Sequence, residues 1–277
     1  MKSVPKRKLY MGIEFELFFN GNQNSFRQFI KKNLSKWDIP FRGKNSFDVK
    51  RDGSLETNKE GFEGIEFVTP VMPFGVGKQF MKSVLNLMRK SEKIHTNDTC
   101  GLHINLSYQQ EHLNMEIDPH RIYFALDEES LLKDWNRIHN HYSQPRTKEI
   151  ITWIKRNKRK SHWDLRTGLN RRLLSECEHS DAISFEKIED VDNGWNDECE
   201  PYMEFRIMGG VNYEHKQDKI AKTLKEYEKA MQWASSPYYD RFCSRKINKI
   251  LLSNQKKQRI LYKEPYDPML ENIHDLY

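Results

Sequence analysis

Paired cysteines are missing from this sequence, as are long apolar runs, low-complexity tracts and internal repeats. Its four cysteines, Cys100, Cys177, Cys199 and Cys243, stand far apart without CxxC spacing, which argues against a disulfide framework or a zinc ribbon and leaves reduced thiols as the expectation. Cys177 and His179 with Cys199 contain zinc-competent atoms, but their spacing matches no familiar zinc site. No stretch approaches the roughly 20 apolar residues that a bilayer-spanning helix needs. The basic residues 1–8 lead into an alternating segment rather than an apolar signal core, so no secretory signal is read and a soluble, cytoplasmic protein is expected. With no Ser/Gly-rich linker and no repeat, one domain over residues 1–277 is expected. It would carry a helical insertion around 121–160 and a C-terminal helical segment around 217–277.

What is present is enough to build a core. The chain has 277 residues, 37% hydrophobic and 12% aromatic, near the upper size for a single hydrophobic core. Its net charge of +6 and pI near 8.9 favour anionic partners, for which ATP, acidic peptides, nucleic acid and anionic surfaces qualify alike.

Periodicity divides the chain into strands and helices. Leu9, Met11, Ile13, Phe15 and Leu17 alternate with Tyr10, Gly12, Glu14, Glu16 and Phe18, the period-2 mark of a strand with one apolar face. The same alternation marks strands over 62–68, 101–107 and 203–207, with shorter ones near 47–50 and 183–188. Helical spacing marks a helix capped by Ser25, another over 75–90, most of 121–160 with a break at Pro145, and the stripe Ile220, Leu224, Tyr227 and Met231. An acidic, irregular loop is expected over 189–201. Short strands separated by helices predict an α+β fold, a mainly antiparallel sheet with helices on one face and a wet polar face opposite.

That polar face collects metal-competent groups. Glu14 with Glu16, Glu66, His103 with Asn105, and Glu204 with Arg206 each stand opposite the apolar residues of their own strand. Any one of these glutamates reads equally as a solvated residue, and His103 alone as a hydrogen-bonded histidine. Gathered in one sheet, four carboxylates repel unless a cation neutralises them or their pKa values rise. Carboxylates with one imidazole suit Mg²⁺ or Mn²⁺ better than zinc or copper. Arg206 stands where it could reach a phosphate oxygen.

The motifs GIEFE at 12–16, RDGSLE at 51–56, EFVTP at 66–70, CGLHINLS at 100–107 and MEFR at 203–206 occur in an order that resembles the amidoligase family, within the wider glutamine synthetase and glutamate-cysteine ligase superfamily. The resemblance implies an antiparallel sheet whose concave face holds Mg²⁺ or Mn²⁺ around ATP, and ATP-dependent ligation of a carboxylate to an amine through an acyl phosphate. It implies metal-ligand roles for Glu14, Glu16, Glu66, His103 and Glu204, and phosphate binding by Arg206. Asp52 matches an acidic position to which we assign recognition or deprotonation of the amine. Arg166 and Asn170 in RTGLN resemble nucleotide-contacting residues more loosely. Asn105 replaces a second histidine, keeping a hydrogen-bond donor for the nucleotide but losing a group that titrates near neutrality. The acid and amine would be amino acids, peptides or related small molecules.

Two other readings use the same residues or different ones. A metal-dependent hydrolase or nuclease could use the same carboxylates. The basic run Lys155 to Lys160 between Trp153 and Trp163 could contact nucleic acid in an inactive binding protein, although a solvated basic helix face explains it as well.

Overall fold

The computed structural model describes residues 8–41, 46–57, 59–108, 117–178, 180–188, 202–235 and 240–262, with the side chains of the last helix described as far as Ser253. The expected acidic loop at 189–201, with Cys199, and also His179 and residues 263–277 lie outside these.

The strands are β1 (Leu9–Asn20), β2 (Asp48–Arg51), β3 (Phe62–Val68), β4 (Met72–Pro73), β5 (Ile94–His95), β6 (Gly101–Tyr108), β7 (Ile183–Ser184) and β8 (Met203–Gly209). They form one sheet in the order β2-β3-β1-β6-β8-β7, and β4 and β5 each pair with an end of β1. Every one of these pairings is antiparallel. The fold is therefore the expected α+β arrangement, with the long first strand at the middle of the sheet.

Its apolar face is sealed by helices. Phe67 of β3 is the hub, with ring centroids 5.9 Å from Phe15, 5.7 Å from Phe26 of α1 (Gln23–Asn33), 5.8 Å from Phe47 and 6.3 Å from Phe80 of α2 (Phe74–Lys90). Further along the sheet, Phe205 of β8 stacks on Tyr227 of the helix Gln217–Ala234 at 4.3 Å. Each fully buried ring of this kind contributes roughly 1.5–3 kcal/mol. Among the described residues, the helices between β6 and β7 are α3 (Pro119–Ala125), α4 (Glu128–Asp134), α5 (Thr147–Arg156) and α6 (His162–Ser175), followed after β8 by α7 (Gln217–Ala234) and α8 (Asp240–Tyr262). Pro145 lies between α4 and α5, as its missing N–H and restricted predecessor require.

Three local expectations differ. Asn22, not Ser25, caps α1: its Oδ1 accepts from the Ser25 N–H at 3.0 Å, while the Ser25 hydroxyl turns back onto the Asn22 carbonyl at 2.7 Å. The segment 183–188 is strand for two residues only, because Phe185 already turns away and its N–H is taken by the Cys177 thiol. The polar face is not fully wet: His103 is 1% exposed, Arg206 5% and Glu204 8%. The segment 135–146 closes this end of it, with the Ser143 hydroxyl donating to the Arg206 carbonyl at 2.9 Å and Arg206 Nε donating to the Tyr142 carbonyl. Among the described residues, no helix is long and apolar enough to cross a membrane.

Candidate metal centre

Strand register brings the polar-face residues into three rows. Lys50, Glu66 and Glu16 stand opposite one another across β2, β3 and β1. Glu14 stands opposite His103 of β6. Asn105 of β6 faces Gly12, Glu204 and, through Glu204, Ser184 of β7. Between Leu102 and Ile104 the β6–β8 register slips, since these two face Met208 and Phe205. The extra residue on β8 is a bulge, a device that bends a strand and re-aims side chains, and here it lies beside Arg206, opposite His103.

His103 is the centre of the cluster. Its Nδ1 is 3.4 Å from Glu14 Oε2 and 3.4 Å from Glu204 Oε1, and its Nε2 is 3.5 Å from Glu16 Oε1. One ligand atom each from Glu14, His103 and Glu204 lie within 4.8 Å of one another. His103 Nε2 is buried with no hydrogen-bond partner, an uncommon and costly state for a polar atom. The ring fits because residue 101 is glycine: a Cβ there would strike His103 Nε2 and the Glu16 carboxylate. The Gly101 N–H instead donates to Glu16 Oε2 at 2.5 Å.

The electrostatics are those of crowded like charges. Burial and then the charge of Glu14, with Glu16 adding, push the Glu66 carboxyl up to about 7 although Lys50 opposes them. No donor among the described residues reaches the Glu66 carboxylate. Burial would raise Glu14 too, but the hydrogen bond and charge of His103, with Asn105 and Arg206, hold it at about 2. Burial pulls His103 down, yet the carboxylates of Glu16, Glu14 and Glu204 outweigh it and leave its pKa raised. Asn105 Nδ2 donates to Glu14 Oε1 at 2.7 Å, and Arg206 Nη1 to Glu204 Oε1 at 2.6 Å. A hard divalent cation would answer these features together: it takes carboxylate oxygens and one imidazole nitrogen, and it cancels the repulsion.

The other expected site residues lie apart from this cluster. Asp52 follows the last residue of β2, at the start of the connection to β3. Its Oδ1 accepts from the Ser54 N–H and hydroxyl at 2.9 and 2.6 Å. Arg166 and Asn170 are on α6 and belong to a different network. Arg166 meets Asp240 at 2.7 Å, and Asn170 bridges Asp118 and His120 around a cavity of about 150 Å³. Three contributors to the cluster had no mark in the sequence pattern. Lys50 could have been found by pairing β2 with β3. Ser184 faces Glu204 from a two-residue strand too short to show a period. Arg137, 2% exposed, donates Nη1 to the Cys100 carbonyl at 2.9 Å and places positive charge near Glu16. It lies in an irregular segment.

Comparison with known proteins adds one result. The family described as "Putative amidoligase enzyme" matches residues 7–224, a span that takes in every strand of the sheet and the whole His103 cluster. No curated protein matches the chain.

Proposed function

The chain belongs to the amidoligase family, and from that premise we propose that it is an ATP-dependent carboxylate-amine ligase working at the polar face of the sheet. The observation that carries this reading is the buried His103 ring, with Nδ1 between Glu14 and Glu204 and Nε2 beside Glu16 but without a hydrogen bond, a donor set that suits a cation.

Glu14, His103 and Glu204 would hold Mg²⁺ or Mn²⁺, with Glu16 and Glu66 beside them. Bound there, such an ion neutralises phosphate oxygens and lowers the cost of bringing a second anion to them. The substrate carboxylate oxygen would attack the γ-phosphorus of ATP; the bond to the bridging oxygen breaks, giving acyl phosphate and ADP. The amine nitrogen then attacks the acyl carbon, and phosphate leaves with the bonding pair.

Each residue of the chain has a part in this. Arg206, braced by Glu204 and the Tyr142 carbonyl, supplies fixed positive charge where the phosphoryl group becomes most anionic. Asn105 orients the Glu14 carboxylate. Asp52 stands at the start of the β2–β3 connection, where its carboxylate would take the proton from the incoming ammonium, which has no lone pair until it is lost. Arg166 and Asn170, engaged with Asp240, Asp118 and His120, line a cavity of their own, and a nucleotide contact by them would have to be made from there.

The test is phosphate and ADP release from ATP with Mg²⁺ or Mn²⁺ across pairs of amino acids and short peptides. Release that requires both an acid and an amine, and falls at least about a hundredfold in Glu204→Gln, is expected on the scale of a lost transition-state electrostatic contact. Metal-dependent cleavage of phosphodiesters without ATP would overturn the ligase reading in favour of a hydrolase.

A further inference from the structure

The α5–α6 hairpin carries a concentration of charge that the ligase reading does not use. From Trp153 to Arg172 the chain holds eight Lys or Arg residues and a single acid, Asp164. Arg166 and Arg172 meet carboxylates. Among the described residues no ion pair engages Lys155, Arg156, Lys158, Arg159, Lys160 or Arg171. Five of these cations fall within the six residues 155–160, across the last turn of α5 and the turn into α6. Arg156, Lys158, Arg159, Lys160 and Arg171 are exposed.

An aromatic platform stands beside them. Trp163, in the first turn of α6, is 66% exposed, whereas Trp153 is packed down: its ring lies so close to Gly168 that a Cβ there would come within 2.9 Å of it. Lys160 Nζ covers the Trp153 ring at 5.7 Å. The shallow floor made by Gly168 and Thr167 opens a groove of about 330 Å³ walled by Lys160, Trp163 and Arg171. Its one carboxylate, Asp164, is taken up by the Ser161 hydroxyl at 2.6 Å. A flat, exposed indole next to a row of unpaired cations matches a partner with flat rings and repeating negative charges.

We propose that this hairpin binds a single-stranded nucleic acid, with an unpaired base stacked on Trp163 and the backbone phosphates tracking Lys158, Arg159, Lys160 and Arg171. Stacking needs a base free of its pair, so a duplex does not satisfy the geometry, and an acidic peptide would satisfy the charge while leaving the indole unused. The surface is separate from the His103 cluster in its residues, so its occupancy and the ligase chemistry stand or fall independently.

The experiment is fluorescence anisotropy of a labelled single-stranded oligonucleotide with the full chain, competed by the matching duplex, by heparin and by polyglutamate. Binding should weaken with salt by a log-log slope of about −0.7 for each phosphate neutralised. Trp163→Ala should weaken oligonucleotide binding by about tenfold or more, Trp163→Phe should restore most of it, and heparin binding should be unchanged in both. The double variant Lys158→Ala, Arg159→Ala should weaken oligonucleotide and heparin together and flatten the salt slope, with ATP turnover unaffected. No oligonucleotide binding at low salt overturns the proposal. So does binding indifferent to Trp163→Ala, or preference for duplex or polyglutamate.

Discussion

Two charge clusters in this molecule, one around buried Arg146 and one around buried His103, contain the same kinds of residue and pair them differently. Around Arg146, between α4, α5 and α6, acids and bases alternate. Arg146 meets Glu149, Asp181 and the Glu176 carbonyl at 3.1, 3.3 and 2.9 Å, Arg172 meets Glu149 at 2.8 Å, and Glu128 Oε2 takes three hydrogen bonds from Arg146 and Thr147. On the polar face of the sheet, Glu14, Glu16, Glu66 and Glu204 gather around a single histidine, and Glu66 is driven up to about 7 by burial and its neighbours' charge. The first cluster pairs each acid with an arginine or a hydrogen-bond donor, although Glu128 Oε1 is buried without a partner, so its charges explain helix packing. The second leaves Glu66 without a donor and His103 Nε2 without a hydrogen bond, features that a cation would answer. Burial of ionisable groups does not separate the two; pairing does, since every carboxylate around Arg146 meets an arginine or accepts a hydrogen bond, whereas no donor among the described residues reaches Glu66.

Removing a charge should therefore have opposite effects in the two places. The largest change belongs to Arg146→Ala, which leaves the buried Asp181 without its counter-ion and should cost about 3–5 kcal/mol in chemical denaturation. A stability loss under about 1 kcal/mol would show that the helical network is ornamental and would weaken the contrast.

Next in size is a pH effect at Glu128, whose carboxyl burial pushes up to about 7. Because the folded value lies above the ordinary one of 4.5, the folded chain holds this proton more tightly than the unfolded chain. Its contribution is complete below about pH 4.5 and is lost as pH climbs to about 7, a change of about 3 kcal/mol at roughly 1.36 kcal/mol per pKa unit. Glu128→Gln should flatten that part of the stability profile. An unchanged slope between pH 4.5 and 7 would assign it to another group.

The smallest effect is the most pointed, since it reverses sign. Glu66→Gln should stabilise the metal-free protein at pH 8 by about 1 kcal/mol, after allowance for solvent screening at a half-buried site. Saturating Mn²⁺ should then favour the wild type, because ligand binding adds stability only to a chain that can bind. Melting curves with and without the ion read both halves; a destabilised Glu66→Gln in the absence of metal would mean that the cluster is not repulsive.

The legible parts of the molecule were those with a period. Alternation over β1, β3, β6 and β8 placed Glu14, Glu16, Glu66, His103, Asn105 and Glu204 on one side of their strands, and pairing then brought them together. Strands β4, β5 and β7 have two residues each, too few for any period, so the sheet is wider than its pattern. Arg166 and Asn170 show the other limit. Two residues one helical turn apart share a face, but which neighbour that face meets is decided by packing, and here it is Asp118, His120 and Asp240. Closure of the polar face by Tyr142, Ser143 and Arg137 comes from an irregular segment whose contacts to the sheet are long-range.

The central claim, that the sheet's polar face is a cation site, is tested most directly by calorimetric titration of Mn²⁺ into the wild type, Glu14→Gln and Glu204→Gln, with Glu149→Gln as the control from the Arg146 cluster. Saturable binding by the wild type and by Glu149→Gln, weakened at least about tenfold in the other two, is the predicted result, tenfold being the scale on which even outer-shell partners of a metal act. A folded wild type that binds no Mn²⁺, or binding equally strong in Glu14→Gln and Glu204→Gln, would contradict it.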